Sequence, residues 1–318
     1  MKRILVTGST GQIGVELLPT LMNKYGKENV IATARRKMPE AFKKMDVHYK
    51  RLDVLDMEHL LNMLVDYDID IIIHNASVLS AVGERNPQLA HDINFKGFFN
   101  VLEATKQLNL EQLNAPSSIA AFGPSTPKEN TPNDVIMRPT TIYGISKVYI
   151  ELMGEYYASK FGVDFRSLRY PGVISSEAEP GGGTTDYAIW IFYEALKAKK
   201  YTSFLDANTY LPMMYMPDCL KCTIDLIDAP QDKLIHRSYN VTSMSFSPAE
   251  LATEIKKHIS DFEISYEPDF RQKIAESWPQ SIDDSAAREE WGWSHDYDLA
   301  AMTKDMLEKL SEKLKVSY

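Results

Sequence analysis

The chain has 318 residues, 44% of them hydrophobic, enough to bury a full core in one large domain or one large and one small. Its 35 Lys and Arg against 44 Asp and Glu leave a net charge of −9. It carries no basic run of the kind that neutralises phosphates along a nucleic acid, so no nucleic-acid partner is expected. No apolar run approaches the ~18 residues of a membrane span, and MKRILVTG enters a strand with no room for a targeting segment, so a cytoplasmic location is expected.

Residues 3–7 read as a short apolar strand that ends in the glycine turn GSTGQIG. Gln12–Tyr25 then has helical spacing, with Ile13, Leu17, Leu18, Leu21 and Met22 on one face. Strands are predicted over 29–34 and 47–52, followed by a helix over Met57–Asp66. The apolar run IDIIIHN at 69–75 suits a parallel strand covered on both faces. A long helix is predicted over 87–108, a weaker strand over 112–116 running into Ser117-Ser118, a long helix over 144–161 and a strand over 164–170. This β-α alternation implies an α/β Rossmann-type doubly wound parallel sheet. Beyond 171 the alternation breaks down. Residues 1–170 are therefore read as a dinucleotide-binding domain and 171–318 as a smaller, mainly substrate-binding lobe, with a return of some of its segments to the first left open.

Gly8, Gly11 and Gly14 follow a strand and open a helix, the context of a dinucleotide-binding turn. Gly8 permits the tight turn, Gly11 lets a pyrophosphate approach the backbone, and Gly14 lets helix and strand pack closely. The helix N-terminus, with Gln12 and Ile13, offers unpaired N–H groups and a positive dipole end to phosphates. An acidic residue closing the second strand would favour NAD. Ala34 stands there instead, followed by Arg35 and Arg36, so NAD and NADP both stay open. Asp53, followed by Val54, is expected near the adenine.

Tyr143 and Lys147 in YGISK share a helix face. The tyrosine would act as proton acceptor while the lysine's charge stabilises its phenolate, help that a group of pKa ~10 needs near neutrality. The spacing alone is not specific, because Tyr156/Lys160 and Tyr193/Lys197 share it. Position selects Tyr143, which follows the strand end at Ser117-Ser118. Ligands of open α/β sheets sit beyond such ends, where a hydroxyl can orient a substrate alcohol. Cys219 and Cys222 form a C-x-x-C, but no second pair exists and the segment reads as a helix start. They are taken as small helix residues, and no metal site is expected.

The glycine turn, Ser118 and Tyr143/Lys147 in that order resemble the extended short-chain dehydrogenase/reductase superfamily. Segments between 117 and 293, among them TIYGISKVYIELMGEYY, PGGGTTDYA and DFRQKIAESWPQSIDDS, look like its L-threonine 3-dehydrogenases. The resemblance implies NAD-dependent oxidation of the threonine β-hydroxyl to 2-amino-3-ketobutyrate. In that pattern Tyr143 takes the proton, Lys147 binds the nicotinamide ribose, and Ser118 holds the substrate hydroxyl with Ser117 beside it. Tyr170 joins the cofactor contacts. Ser80, Thr184, Thr185, Asp186 and Trp278 are implied for the substrate, and PGGG at 180–183 for a lid hinge. A homodimer through the 87–108 and 144–161 helices is also implied. Two departures stand out: Ala34 where an aspartate is common, and Asn75 where an apolar residue is common. The alternatives are a nucleotide-sugar epimerase or dehydratase and a non-catalytic dinucleotide sensor. The first needs donors for a diphosphate, yet only Lys197, Lys199 and Lys200 are basic between 171 and 219. The second would not need Ser118, Tyr143 and Lys147 together.

Overall fold

The computed structural model describes residues 2–178 and 180–318. Thirteen strands follow in chain order among them: β1 (Ile4–Thr7), β2 (Val30–Ala34), β3 (His48–Arg51), β4 (Ile71–His74), β5 (Gln112–Asn114), β6 (Ser117–Ser118), β7 (Phe165–Tyr170), β8 (Gly172–Ile174), β9 (Lys200–Ser203), β10 (Leu211–Tyr215), β11 (Ser238–Asn240), β12 (Met244–Phe246) and β13 (Glu263–Tyr266). The main sheet runs β11-β7-β5-β4-β1-β2-β3, with β6 also on β7, and every pairing in it is parallel. The expected doubly wound parallel sheet is thus the observed one. β1, β2 and β4 are buried at every residue, as strands covered by helices on both faces must be. The edge strand β3, HYKR, is partly exposed.

The first helix, Gln12–Tyr25, buries Gly14, Leu17, Leu18 and Leu21 against the sheet. The second long helix spans Ile142–Phe161, starting two residues earlier than expected because Thr141 caps it, its hydroxyl accepting from the Gly144 amide at 3.0 Å. The expected single helix over 87–108 is instead three pieces, Pro87–His91, a π-helical turn Asp92–Gly97, and Phe98–Gln107. Asn94 accounts for the interruption. Its buried side chain accepts from the Val78 amide (2.7 Å) and donates to the Val78 carbonyl (3.0 Å) and to Ser146 Oγ (3.2 Å). One polar side chain so ties the loop after β4 to the Ile142–Phe161 helix, the kind of functional-site role π-turns often serve.

The helices Tyr187–Ala198, Pro248–Lys256 and Leu299–Leu314 share a second core with β10, filled by Tyr187, Phe192, Phe246, Leu251, Met302 and Met306. β11 leaves this region and pairs with β7 at the sheet edge. A second crossing joins residues 128–131 to 278–283: Gln280 N donates to the Lys128 carbonyl at 2.7 Å, and Thr131 bridges Ile282. Cys219 and Cys222 are free and buried in the Met216–Asp228 helix, and burial pushes both thiols far above their usual range. Among the described residues no helix is long and apolar enough to cross a membrane.

Candidate active site

The strand order reverses between β1 and β4, which is where an open α/β sheet opens a crevice at its carboxyl edge. A cavity of about 250 Å³ lies there, bordered by the glycine turn after β1, the loop after β4, the end of β6 and the end of β7. Gly8 has φ +63, and a Cβ on it would meet the Ala76 amide at 2.5 Å. A Cβ on Gly14 would strike Gly8 and Ser9 at 2.8 Å. Both positions therefore exclude a side chain. Gly11 is the N-cap, and no side chain caps this helix. Its first-turn amides, at Gln12 and Ile13, are left for a ligand. The cavity also holds an orphaned donor, Asn75 Nδ2, buried with no partner. Bare helix amides plus a buried amide donor fit an acceptor-rich dinucleotide.

Facing the turn, Tyr143 and Lys147 rise from one side of the Ile142–Phe161 helix. The Tyr143 hydroxyl lies toward Ser118 across the cavity; burial pushes the phenol up to about 12, and the nearby Ser118 hydroxyl partly offsets that. Lys147 donates to the Pro116 carbonyl at 2.7 Å, and its ammonium lies 5.2 Å from the centre of the Tyr143 ring. Burial pulls Lys147 down to about 8, opposed by Glu151 one turn on. Ser117 departs from expectation. It borders the cavity, but its hydroxyl donates to Glu151 and so is not turned to an incoming alcohol. Residues in a strand alternate sides, so only one of the two serines can face Tyr143, and that one is Ser118.

At the other end the lining includes Ser80, Thr184, Thr185, Asp186 and Trp278, all brought together as expected. Thr184 Oγ1 is buried without a partner. Asp186 accepts from the Gly182 and Gly183 amides at 2.7 Å each, which folds the PGGG segment onto the site. Burial raises its carboxyl above the usual range despite those bonds. Trp278 closes one wall; its carbonyl accepts from Lys128 at 3.1 Å.

The model of the NAD dependent epimerase/dehydratase family matches residues 4–242. The chain belongs to that family. Within it, the chain is 48% identical to the mitochondrial L-threonine 3-dehydrogenase of Sus scrofa, over 96% of this chain and 82% of that one. The crystal structure of L-threonine dehydrogenase from Phytophthora infestans superposes with a TM-score of 0.95 at 55% identity, covering 98% of this chain and 100% of that one. A monomeric L-threonine 3-dehydrogenase from a metagenome is 45% identical with a TM-score of 0.93, covering 98% and 99%. The resemblance drawn from the motifs is therefore borne out at the level of family and fold.

Three residues expected to bind the family's dinucleotide lie outside the cavity lining. Arg35 is exposed at the end of β2. Asp53 Oδ1 accepts from the Leu55 amide at 3.0 Å, closing a turn. Val54 is buried and packs on Gly97, where a Cβ would meet its methyl at 2.7 Å. All three follow strand ends on the rim that carries Gly8, since Ala34 pairs with Arg51 and Leu52 N donates to the Ala34 carbonyl. Tyr170 borders the cavity, but its hydroxyl turns away to Thr223 Oγ1 at 2.5 Å. Sequence reasoning missed His74, Asn94 and Glu151. His74 lines the cavity with Nδ1 2.9 Å from Thr7 Oγ1, and its burial was legible only as the polar end of an apolar strand.

Proposed function

We propose that the protein is an NAD-dependent L-threonine 3-dehydrogenase, oxidising the β-hydroxyl of L-threonine to 2-amino-3-ketobutyrate. The bound dinucleotide would supply the hydride acceptor. The glycine turn and the uncapped Gln12–Tyr25 helix would hold its diphosphate, and Lys147 its nicotinamide ribose. Ser118 orients the substrate hydroxyl. Tyr143, as phenolate, takes the hydroxyl proton, and the Lys147 ammonium lowers the cost of that phenolate. Asp186 faces the substrate ammonium; pairing with it returns the carboxyl to its ionised form. Ser80, Thr184 and Thr185 offer hydroxyls to the carboxylate, and Trp278 shields the site from water.

One observation carries this reading: Ser118, Tyr143 and Lys147 line one cavity together with the glycine turn and Asp186, the Lys147 ammonium 5.2 Å from the Tyr143 ring. The kinship with L-threonine dehydrogenases supports the choice of substrate. NAD is preferred over NADP on the family description, although Ala34 supplies no ribose-binding carboxylate. The reading also places the protein in the cytoplasm as a homodimer. Exposed Phe99 on the Phe98–Gln107 helix and Ile145, Leu152 and Tyr156 on the Ile142–Phe161 helix support a partner surface there. The test follows nicotinamide absorbance with L-threonine and NAD, then NADP, beside a UDP-sugar control. Reduction with L-threonine and NAD is expected, and no reduction with either cofactor overturns the reading.

A further inference from the structure

We propose that Glu151 is a positioning residue for the Tyr143 chemistry, the third of three contacts by which one helix grips the strand end that carries Ser118. The inference rests on the dehydrogenase reading above. Positions 143, 147 and 151 recur at four-residue steps, so their side chains rise from one face of the Ile142–Phe161 helix. They meet three consecutive residues of the chain. Tyr143 meets the Ser118 hydroxyl, Lys147 the Pro116 carbonyl at 2.7 Å, and Glu151 the Ser117 hydroxyl. With Pro116 and Ser117 both held, Ser118 has little freedom to turn from Tyr143.

Glu151 is itself immobilised. It is 1% exposed, and Arg169 of β7 grips both carboxylate oxygens, Nε at 3.0 and 3.1 Å and Nη2 at 2.7 Å. Arg169 is anchored in turn on the Asn133 carbonyl at 2.6 Å and Asn240 Oδ1 at 3.1 Å. It also sits opposite Ser117 in the β6–β7 pairing, so the anchor lies beside the segment it steadies. A planar bidentate pair fixes orientation as well as distance. The charge has its own effect. The ionisable groups around Lys147 are Tyr143 and Glu151 on its own helix and His74 from β4, with Arg169 of β7 on the Glu151 carboxylate. Of these only Glu151 holds the lysine in its charged form against burial.

Two substitutions separate charge from contact. Glu151→Gln keeps an acceptor for Ser117 and removes the charge, while Ser117→Ala keeps the charge and removes the contact. Each is measured for kcat and KM with L-threonine and NAD across pH. Each is also measured for NAD affinity across pH by tryptophan fluorescence quenching, which needs no turnover, with Lys147→Met marking the lysine's share. In Glu151→Gln the alkaline loss of NAD affinity moves to lower pH by about one unit, because Lys147 loses its proton earlier. In Ser117→Ala kcat falls about ten-fold with KM nearly constant, as expected for a misaligned Ser118. An unshifted midpoint in folded Glu151→Gln, or wild-type kcat in Ser117→Ala, overturns the inference. If Glu151→Gln does not fold, the Ser117→Ala result decides alone. If the wild type binds NAD yet leaves L-threonine untouched, the dehydrogenase reading falls, and the affinity profiles still decide the role of Glu151.

Discussion

Tyr143 carries a phenol near 12 beside an ammonium near 8, so the pair holds its protons at neutral pH and must be drawn toward phenolate. Turnover is accordingly expected to rise with pH through the neutral range. Tyr143→Phe should lower kcat by about 10²–10⁴-fold, whereas exposed Tyr156, which shares the spacing to a lysine, should tolerate the same change. Asn75 makes a separate prediction. Its Nδ2 is buried without a partner in the cavity, so a bound dinucleotide that accepts from it gains one hydrogen bond, worth about 1 kcal/mol. Asn75→Leu should weaken NAD about five- to ten-fold by fluorescence titration, and an unchanged Kd would show that the amide serves no ligand. His74 bears on stability. Burial and the nearby Lys147 depress it from 6.5 to about 3, so the unfolded chain takes up its proton first. The stability that neutral His74 contributes is complete above pH 6.5 and is lost as pH falls from there toward 3, by about 1.4 kcal/mol per unit. His74→Gln should flatten that slope in urea titrations. The motif residues were legible because their chemistry demands a spacing. Glu151 and Asn94 were not, because a lone Glu or Asn in a helix carries no signal until a strand or loop is packed on it.

Periodicity located the elements well where one face is buried, as in Gln12–Tyr25, whose bounds match the expectation. It failed over 87–108, where the apolar rhythm continues through the π-turn and only the Asn94 contacts reveal the extra residue. The strand expected over 112–116 and running into Ser117-Ser118 is likewise two strands, β5 ending at Asn114 and β6 at Ser117–Ser118. Neither boundary has a local composition cue. The Ile142–Phe161 helix lies close on the sheet through Gly154, where a Cβ would fall 2.3 Å from the Phe165 ring. Gly154→Ala should therefore push helix from strand and cost about 1–3 kcal/mol in chemical unfolding, with activity falling too, since Tyr143 rides on the same helix. A stable, active Gly154→Ala protein would mean that this contact relaxes freely.

The whole molecule sets its cavity between two packed bodies, the parallel sheet with its helices and the core around Tyr187, Phe192 and Met302. A division near 170 remains our proposal for how the chain is organised; that strands alternate with helices up to that point made the sheet legible, whereas β11 was hidden because three residues seldom announce themselves. Oligomeric state belongs at this scale as well. Light scattering at micromolar concentration should give twice the chain mass, and a monomer, as described for the metagenome relative, would remove the proposed partner surface. The return of β11 to the sheet edge also bears on how such an enzyme could acquire a new substrate. A graft that exchanged everything after residue 170 would import a foreign strand beside β7 and a foreign Asn240 against Arg169. Specificity is better transplanted in two patches, the stretch around Thr184–Asp186 and the stretch around Trp278, with Ser238–Asn240 left native to hold Arg169 in place.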